Sequence, residues 1–259
     1  MNPQPRPHSL RLRRAIASIL RFALRFRAAP YQPPTHEHGN ALVIAPHPDD
    51  ETFGCGGWIA RQTADGRPVH VLFLTDGSAS HPGHPTVAPR EIQSLRATEA
   101  RAAASTLGVA PANLHFLGLP DGQLARLDPA ISLAASRQLR SLLLEISPGE
   151  ILLPCHNDGS TEHEAAFQLV SSALSDLPAS PRVLEFPVWS WWSPRFAWRL
   201  IFSRARILRC HFPRQRGAKR AAMGCYRSQT EPLPPWKHSA LPEGFVALFS
   251  APEEYFFEN

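Results

Sequence analysis

The stretch that most limits what this chain can fold into is residues 41–57, Ala-Leu-Val-Ile-Ala-Pro-His-Pro-Asp-Asp-Glu-Thr-Phe-Gly-Cys-Gly-Gly. Ala41 to Ala45 offer water no polar face, so they read as a strand buried on both sides. A turn carrying His47, Asp49, Asp50 and Glu51 follows at once. Pro46 and Pro48 stiffen it, because their rings fix φ. Gly54, Gly56 and Gly57 then let a helix lie close to a sheet. Strand, charged turn and helix in that order put polar side chains at the carboxyl end of a strand, where open α/β sheets bind their ligands.

The rest of the pattern alternates as that start requires. The expected fold is a single α/β domain, Rossmann-like, with a mostly parallel sheet and helices on both faces. Further strands are expected over 69–74, 114–117, 150–153 and 183–186, and helices over 90–107 and roughly 129–146. Thr161 followed three residues later by Glu164 fits a capping box. That places His163 in the first turn of a helix, again just past a strand. Beyond it come an aromatic segment from Pro187 to Trp198, a basic helical run to Arg209 and a last helix over 217–229. Loop 78–89 is expected to be exposed, and no role is assigned to His70, His81, His84 or His115.

The 43% hydrophobic content suffices for one substantial core, so residues 40–259 read as a single domain preceded by a basic amphipathic segment and linker over 1–39. The net charge of +5 is concentrated in residues 6–27 and 195–220. Residues 1–9 are Pro-rich and expected to be disordered. From Leu10 to Ala28 a helix is expected, with Leu12, Ile16, Ile19, Leu20, Ala23 and Phe26 on one stripe and Arg14, Arg21 and Arg25 opposite. Its interspersed arginines exclude a bilayer span, and it lacks the apolar run of a secretory signal. Two readings stand: the helix packs on its own domain, or it meets an anionic membrane peripherally. Nucleic acid is the weaker partner, since no recognition fold accompanies the charge. Cys55, Cys155, Cys210 and Cys225 show no paired spacing and suit a reducing compartment, so the expected location is cytoplasmic.

His47 and Asp50, three apart on a stiff turn, are close enough to hold one metal ion, and His163 can complete a set of two imidazoles and a carboxylate. That set with an open fourth position is a common catalytic zinc arrangement. Asp49 would be left free as a base for a water activated by the metal. The opposing reading is a solvated turn whose aspartate caps a helix, with His163 an ordinary surface histidine. Both clusters follow buried strands, which favours the first.

Residues 45–51, Ala-Pro-His-Pro-Asp-Asp-Glu, resemble the signature of the PIG-L/LmbE-like zinc N-deacetylases, which act mainly on N-acetylglucosamine-containing substrates. Other segments are similar to the family in its order: Leu74-Thr-Asp-Gly77, Arg96-x-x-Glu99, Phe116 to Gly122, Asp158-Gly159 to His163, Leu184 to Trp189, and Lys219 with Tyr226 to Gln229. The resemblance implies Zn2+ on His47, Asp50 and His163, Asp49 as general base, and Arg96 on the sugar or its phosphate-bearing part. The implied partner is a small-molecule or lipid-linked glycoconjugate. One departure matters: the family's His-Pro-Asp-His is Ser160-Thr-Glu-His163 here. Ser160 stands where the resemblance implies an imidazole that stabilises the oxyanion or protonates the amine; Ser160 itself is then expected on the substrate side. His156 is the candidate substitute, and Asp49 acting alone is the alternative. A zinc amidase on a non-sugar acyl amine and a catalytically impaired carbohydrate-binding relative are the competing functions. The aromatics Trp189, Trp191, Trp192, Phe196 and Trp198 read as sugar-stacking, site-walling, membrane-facing or core residues.

Overall fold

The computed structural model describes residues 7–34, 39–175, 177, 180–193, 198–200 and 202–259. The expected disorder of residues 1–9 falls largely, and the assignment of Phe196 wholly, outside the described residues. Among those described, the strands are β1 (Ala29–Pro30), β2 (Ala41–Ala45), β3 (Val69–Thr75), β4 (Leu114–Leu119), β5 (Glu150–Pro154), β6 (Arg182–Phe186), β7 (Arg206–His211) and β8 (Glu253–Glu258). They form one sheet in the order β1-β7-β8-β6-β5-β2-β3-β4. Every pairing is parallel except those of β8 with β6 and β7. The chain runs from β2 through β3 to β4 at one edge, then returns to β5 on the other side of β2. Strands β2 and β5 therefore flank the topological switch point, the crevice such sheets offer to ligands.

Both faces of the sheet are covered. The helices introduced here are α1 (Pro7–Arg27), α2 (Asp50–Ala64), α3 (Pro89–Thr106), α4 (Pro129–Ile146), α5 (Thr161–Leu174) and α6 (Trp189–Trp192). Val43 and Ala45 of β2 join Leu20 of α1, Trp58 of α2 and Ala103 of α3 in one core cluster. Leu42 and Ile44, on the other face, join Leu139 of α4 and Val170 of α5. An unbroken apolar run in β2 is what two dry faces require.

Helix α2 is not continuous. Cys55 has φ −141° and ψ 19°, which interrupts the helix. The amides freed beyond the break are satisfied by Glu254 of β8: Gly57 N donates to Oε1 at 2.8 Å and Trp58 N to Oε2 at 2.7 Å. Before the break, the Phe53 carbonyl accepts from Lys219 Nζ at 2.8 Å, and the same ammonium pairs with Glu254 Oε1 at 2.6 Å. The buried ion pair thus has further hydrogen bonds at both ends, the condition under which burying charge is tolerable. Close packing depends on glycine here, because a Cβ on Gly57 would stand 2.2 Å from the Phe212 ring. Gly57→Ala is expected to lower stability by about 1–3 kcal/mol through overpacking, checked by denaturant melts.

Several expectations are corrected. The expected capping box does not form: Thr161 is already helical, and Ser160 is the N-cap of α5, its hydroxyl accepting from His163 N with no Glu or Gln at the N3 position to return the bond. Among the described residues of the basic run to Arg209, 198–200 and 202 are helical, and Arg206–His211 is strand β7, paired along its length with β8. His81, inside the loop expected to be exposed, is buried and stacks on Trp236 at 5.5 Å. Tyr31, inside the expected linker, is buried and donates to Glu150 Oε2 at 2.6 Å. Helix α1 buries Ala17, Leu20 and Leu24 but leaves Leu12, Ile19 and Phe26 of the expected stripe in solvent. Arginines help set this rotation: Arg21, expected opposite, stacks on Trp191 at 4.2 Å, and Arg13 stacks on Trp192 at 4.7 Å.

Candidate active site

The turn after β2 is built with backbone strain. Asp49 has φ 139°, a conformation that non-glycine residues rarely adopt. Such strain costs on the order of 1–3 kcal/mol and persists only where neighbours enforce it. The neighbours are identifiable. Asp49 N donates to Glu51 Oε2 at 3.0 Å, and Tyr226 donates to Glu51 Oε1 at 2.6 Å. Arg96 of α3, also buried, donates to the Pro48 carbonyl and lies 3.1 Å from Asp49 Oδ2. One turn further along α3, Glu99 accepts from Ser228 N at 2.7 Å and Ser228 Oγ at 2.6 Å. The sequence segments around residues 96–99 and 226–229 are therefore two halves of one support behind the turn.

His47, Asp50 and His163 come together from the ends of β2 and β5, each offering one ligand atom within 4.8 Å of the others. His47 Nδ1 is 3.1 Å and His163 Nε2 is 3.3 Å from Asp50 Oδ2. Each imidazole is held from its far side. Asp158 Oδ2 lies 2.8 Å from His163 Nδ1, and Asp121 Oδ1 lies 3.2 Å from His47 Nε2. A carboxylate behind an imidazole fixes its tautomer and leaves the other nitrogen's lone pair free for a metal. Asp158 is itself locked by the α6 backbone, accepting from Val188 N, Trp189 N at 2.9 Å and Ser190 N at 2.8 Å.

This donor set fits a cation. His163 Nε2 is buried without a hydrogen-bond partner, an arrangement native interiors otherwise avoid. Burial opposes charge on both imidazoles. For His47 the hydrogen bonds to Asp121, Asp50 and Glu162 prevail and raise its pKa well above the ordinary value. For His163 the charge of Asp50 and the hydrogen bond to Asp158 raise it to about 9. Burial would lift Asp50 too, but His163 and His47 hold it well below the usual carboxylate range. The cluster therefore favours added positive charge, which a divalent ion supplies. Asp49 differs: burial pushes its pKa up to about 7 against the opposing charge of Arg96.

The cluster opens on a cavity of about 310 Å³ with two kinds of wall. His47, Asp49, Asp50, Arg96, Asp121, Ser160 and Gln229 make the polar side, while Phe53, Val188, Trp189, Leu241 and Phe245 make the apolar side. Of the residues expected from sequence, all but one border this cavity or complete the donor set. The exception is His156, expected as the substitute imidazole. It is half-exposed, pairs with Glu185 Oε2 at 2.7 Å and packs on Phe167, away from the cavity lining. Arg96 does border the cavity, but its terminal nitrogens are engaged with Asp49, Pro48 and Gly77 rather than left for a sugar. Asp121 and Asp158 were not singled out, although each sits in an Asp-Gly turn after a strand, the same signal that marked the first turn.

A doubly wound sheet with two histidines and a carboxylate gathered at its switch point defines a class: an α/β protein with a candidate catalytic metal centre at its strand ends. More narrowly, the chain belongs to the PIG-L family, GlcNAc-PI de-N-acetylase, whose family model matches residues 42–174. It is 28% identical over 156 residues to the Bacillus anthracis protein named "Probable N-acetyl-alpha-D-glucosaminyl L-malate deacetylase 2", a match covering 58% of this chain and 65% of that protein. The chain thus spans just under two thirds of the length of that relative. The conserved protein TT1542 from Thermus thermophilus superposes with a TM-score of 0.57 at 29% identity, covering 80% of this chain and 84% of that one. GalB, the 4-carboxy-2-hydroxymuconate hydratase of Pseudomonas putida, superposes with a TM-score of 0.63 at 20% identity over 82% of each chain. That likeness concerns the fold alone, so the site has to decide the chemistry.

Proposed function

We propose that the chain is a zinc-dependent N-deacetylase that removes the acetyl group from an N-acetylglucosamine-type conjugate, lipid- or phosphate-linked, at the cytoplasmic face of a membrane. The observation that carries this reading is the buried His163 Nε2, without a hydrogen-bond partner and facing Asp50, with the Asp49 carboxylate bordering the cavity next to Asp50. Zinc held by His47, Asp50 and His163 would polarise the acetamide carbonyl and acidify water. The chain's own residues supply orientation and proton transfer. Asp158 and Asp121 hold the imidazoles in one tautomer. Arg96 and Glu51 hold the Asp49 turn in its strained form. Asp49, whose pKa burial raises to about 7 before any metal charge is added, would take a proton from the attacking water and return it to the leaving amine nitrogen. The carbon–nitrogen bond breaks, a carbon–oxygen bond forms, and acetate and a free amine result. Asp49 performs both transfers in this reading, since His156 is directed elsewhere. Ser160, Gln229 and Asp121 would meet sugar hydroxyls, and Trp189 and Phe245 would cover an apolar sugar face or aglycone.

The apolar wall also favours a second reading, a zinc amidase acting on a non-sugar acyl amine. Acetate release from free, phosphate-linked and lipid-linked N-acetylglucosamine and from non-sugar N-acetyl amines, with and without chelator, tests both. Chelator-sensitive release from the sugar conjugates is expected. Release confined to the other amides would transfer the assignment to the second reading. No release from any substrate by protein with bound zinc would leave a carbohydrate-binding relative.

A further inference from the structure

Helix α1 has two apolar faces, and only one has a partner within the fold. Ala17, Leu20 and Leu24 are buried in the core. Leu12, Ile19, Phe22 and Phe26 are 59%, 62%, 64% and 77% exposed. At 100° per residue these four, with the exposed Ala15, fall within an arc of about 80° that points away from the core. The patch extends beyond the helix. Arg27 donates to the Ser203 carbonyl at 2.9 Å, which ties the end of α1 to the segment carrying Trp198 and Phe202, 52% and 76% exposed. These residues supply six of the ten large apolar side chains that are exposed among the described residues. A monomer rarely concentrates such side chains without a use for them.

The charge around the patch selects the occupant. Helix α1 contains six arginines, Arg11, Arg13, Arg14, Arg21, Arg25 and Arg27, and no acidic residue. Arg13 and Arg21 are directed inward onto Trp192 and Trp191. Arg11 and Arg14 are exposed along one border of the apolar arc with Arg25, which pairs with Glu253, and Arg204 is exposed next to Ser203, the residue tied to the end of α1. A protein surface would have to supply a matching acidic rim around an apolar ridge. An anionic bilayer offers both together, lipid headgroups for the guanidinium groups and acyl chains for the ridge. No helix of the described residues is long and apolar enough to cross a membrane, so contact along the helix side is the geometry available.

We infer that the outer face of α1, together with Trp198 and Phe202, docks in the plane of an anionic phospholipid surface. This deepens the proposed function by naming the surface on which a lipid-linked substrate is met, and it rests on that reading only for the nature of the substrate. The helix that carries the docking face also packs, through its inner side, against residues that reach the site. Trp192, under Arg13, contacts Phe245 at 5.7 Å, and Phe245 contacts Trp189 at 4.9 Å; the last two line the cavity.

Sedimentation of the full chain with phosphatidylglycerol-containing vesicles, and with pure phosphatidylcholine vesicles, tests the inference. The chain is expected to bind the anionic vesicles, to bind the neutral ones at least about tenfold more weakly, and to be released by high salt. The double variant Ile19→Glu/Phe22→Glu changes only exposed positions, so its thermal melt should match the parent while vesicle binding falls about tenfold or more. Absence of binding to anionic vesicles, or unchanged binding by the folded variant, overturns the inference. So does a dimer in sedimentation velocity that the double variant dissolves, since a second copy would then cover the patch. Acetate release from soluble conjugates is measured separately. Vesicle binding without any acetate release would retire the deacetylase reading and leave the docking surface standing.

Discussion

Asp49→Asn is expected to reduce acetate release about a thousandfold while leaving the bound metal in place. Asp49 is not among the three clustered ligand atoms, so its loss leaves His47, Asp50 and His163 as they are. Asparagine is isosteric and its carbonyl oxygen can still accept from Arg96. It has the same shape and the same backbone freedom as the aspartate already held at φ 139°, so the strained turn should survive. What asparagine cannot do is take a proton from water near neutral pH. A thousandfold loss corresponds to about 4 kcal/mol of transition-state stabilisation, within the range attributed to a positioned acid–base group. Elemental analysis gives the metal content and an acetate assay the rate. Full activity in the zinc-loaded variant would remove Asp49 from the role.

The second large effect is expected one layer out. Asp158 is fully buried, with one carboxylate oxygen on His163 Nδ1 and both oxygens occupied by the amides of residues 188–190. Asp158→Asn exchanges one acceptor oxygen for a donor NH2. In either amide orientation a donor then faces a donor, at His163 or at the start of α6. Metal affinity is expected to fall about 10–100-fold, the usual consequence of removing the group behind a ligand. Stability is expected to fall by about 1–3 kcal/mol, because a buried donor loses its partner. A competitive metal titration and a melt of the metal-free protein measure the two separately. Unchanged metal affinity would show that His163 is oriented without Asp158.

The parts of this molecule that were readable in the sequence share a physical property: their partners are nearby in the chain or are simply the dry interior. Strand β2 announces itself because both its faces are buried, and the proline-stiffened turn because its polar residues stand at the end of that strand. Elements whose character comes from distant partners were not readable. Strand β8 begins Glu253-Glu254, which looks solvated; in the fold Glu253 pairs with Arg25, and Glu254 serves Lys219 and α2. Strand β7 reads as a basic helix until its register with β8 is known. The stripe on α1 merged two faces because nothing local reveals that Trp191 and Trp192 take up two of its arginines. His156 is close to Ser160 along the chain, but Glu185 on the neighbouring strand holds it away from the cavity. Ser160, in contrast, borders the cavity while capping α5.

The break in α2 bears on how this site could be moved between proteins. Its first turn presents the candidate metal and proton-transfer residues, but that turn continues into a helix whose interruption is held together from far along the chain, by Glu254 and Lys219. Both lie outside the segment 42–174 that the family model matches. A graft of the His-Pro-Asp-Asp motif with its flanking strand and helix would carry the chemistry without the anchorage, and the helix would be free to straighten and turn Asp49 away from the cavity. The transferable unit is therefore the motif together with an acid and a base supplied by late strands and helices, a three-part joint rather than a portable sequence.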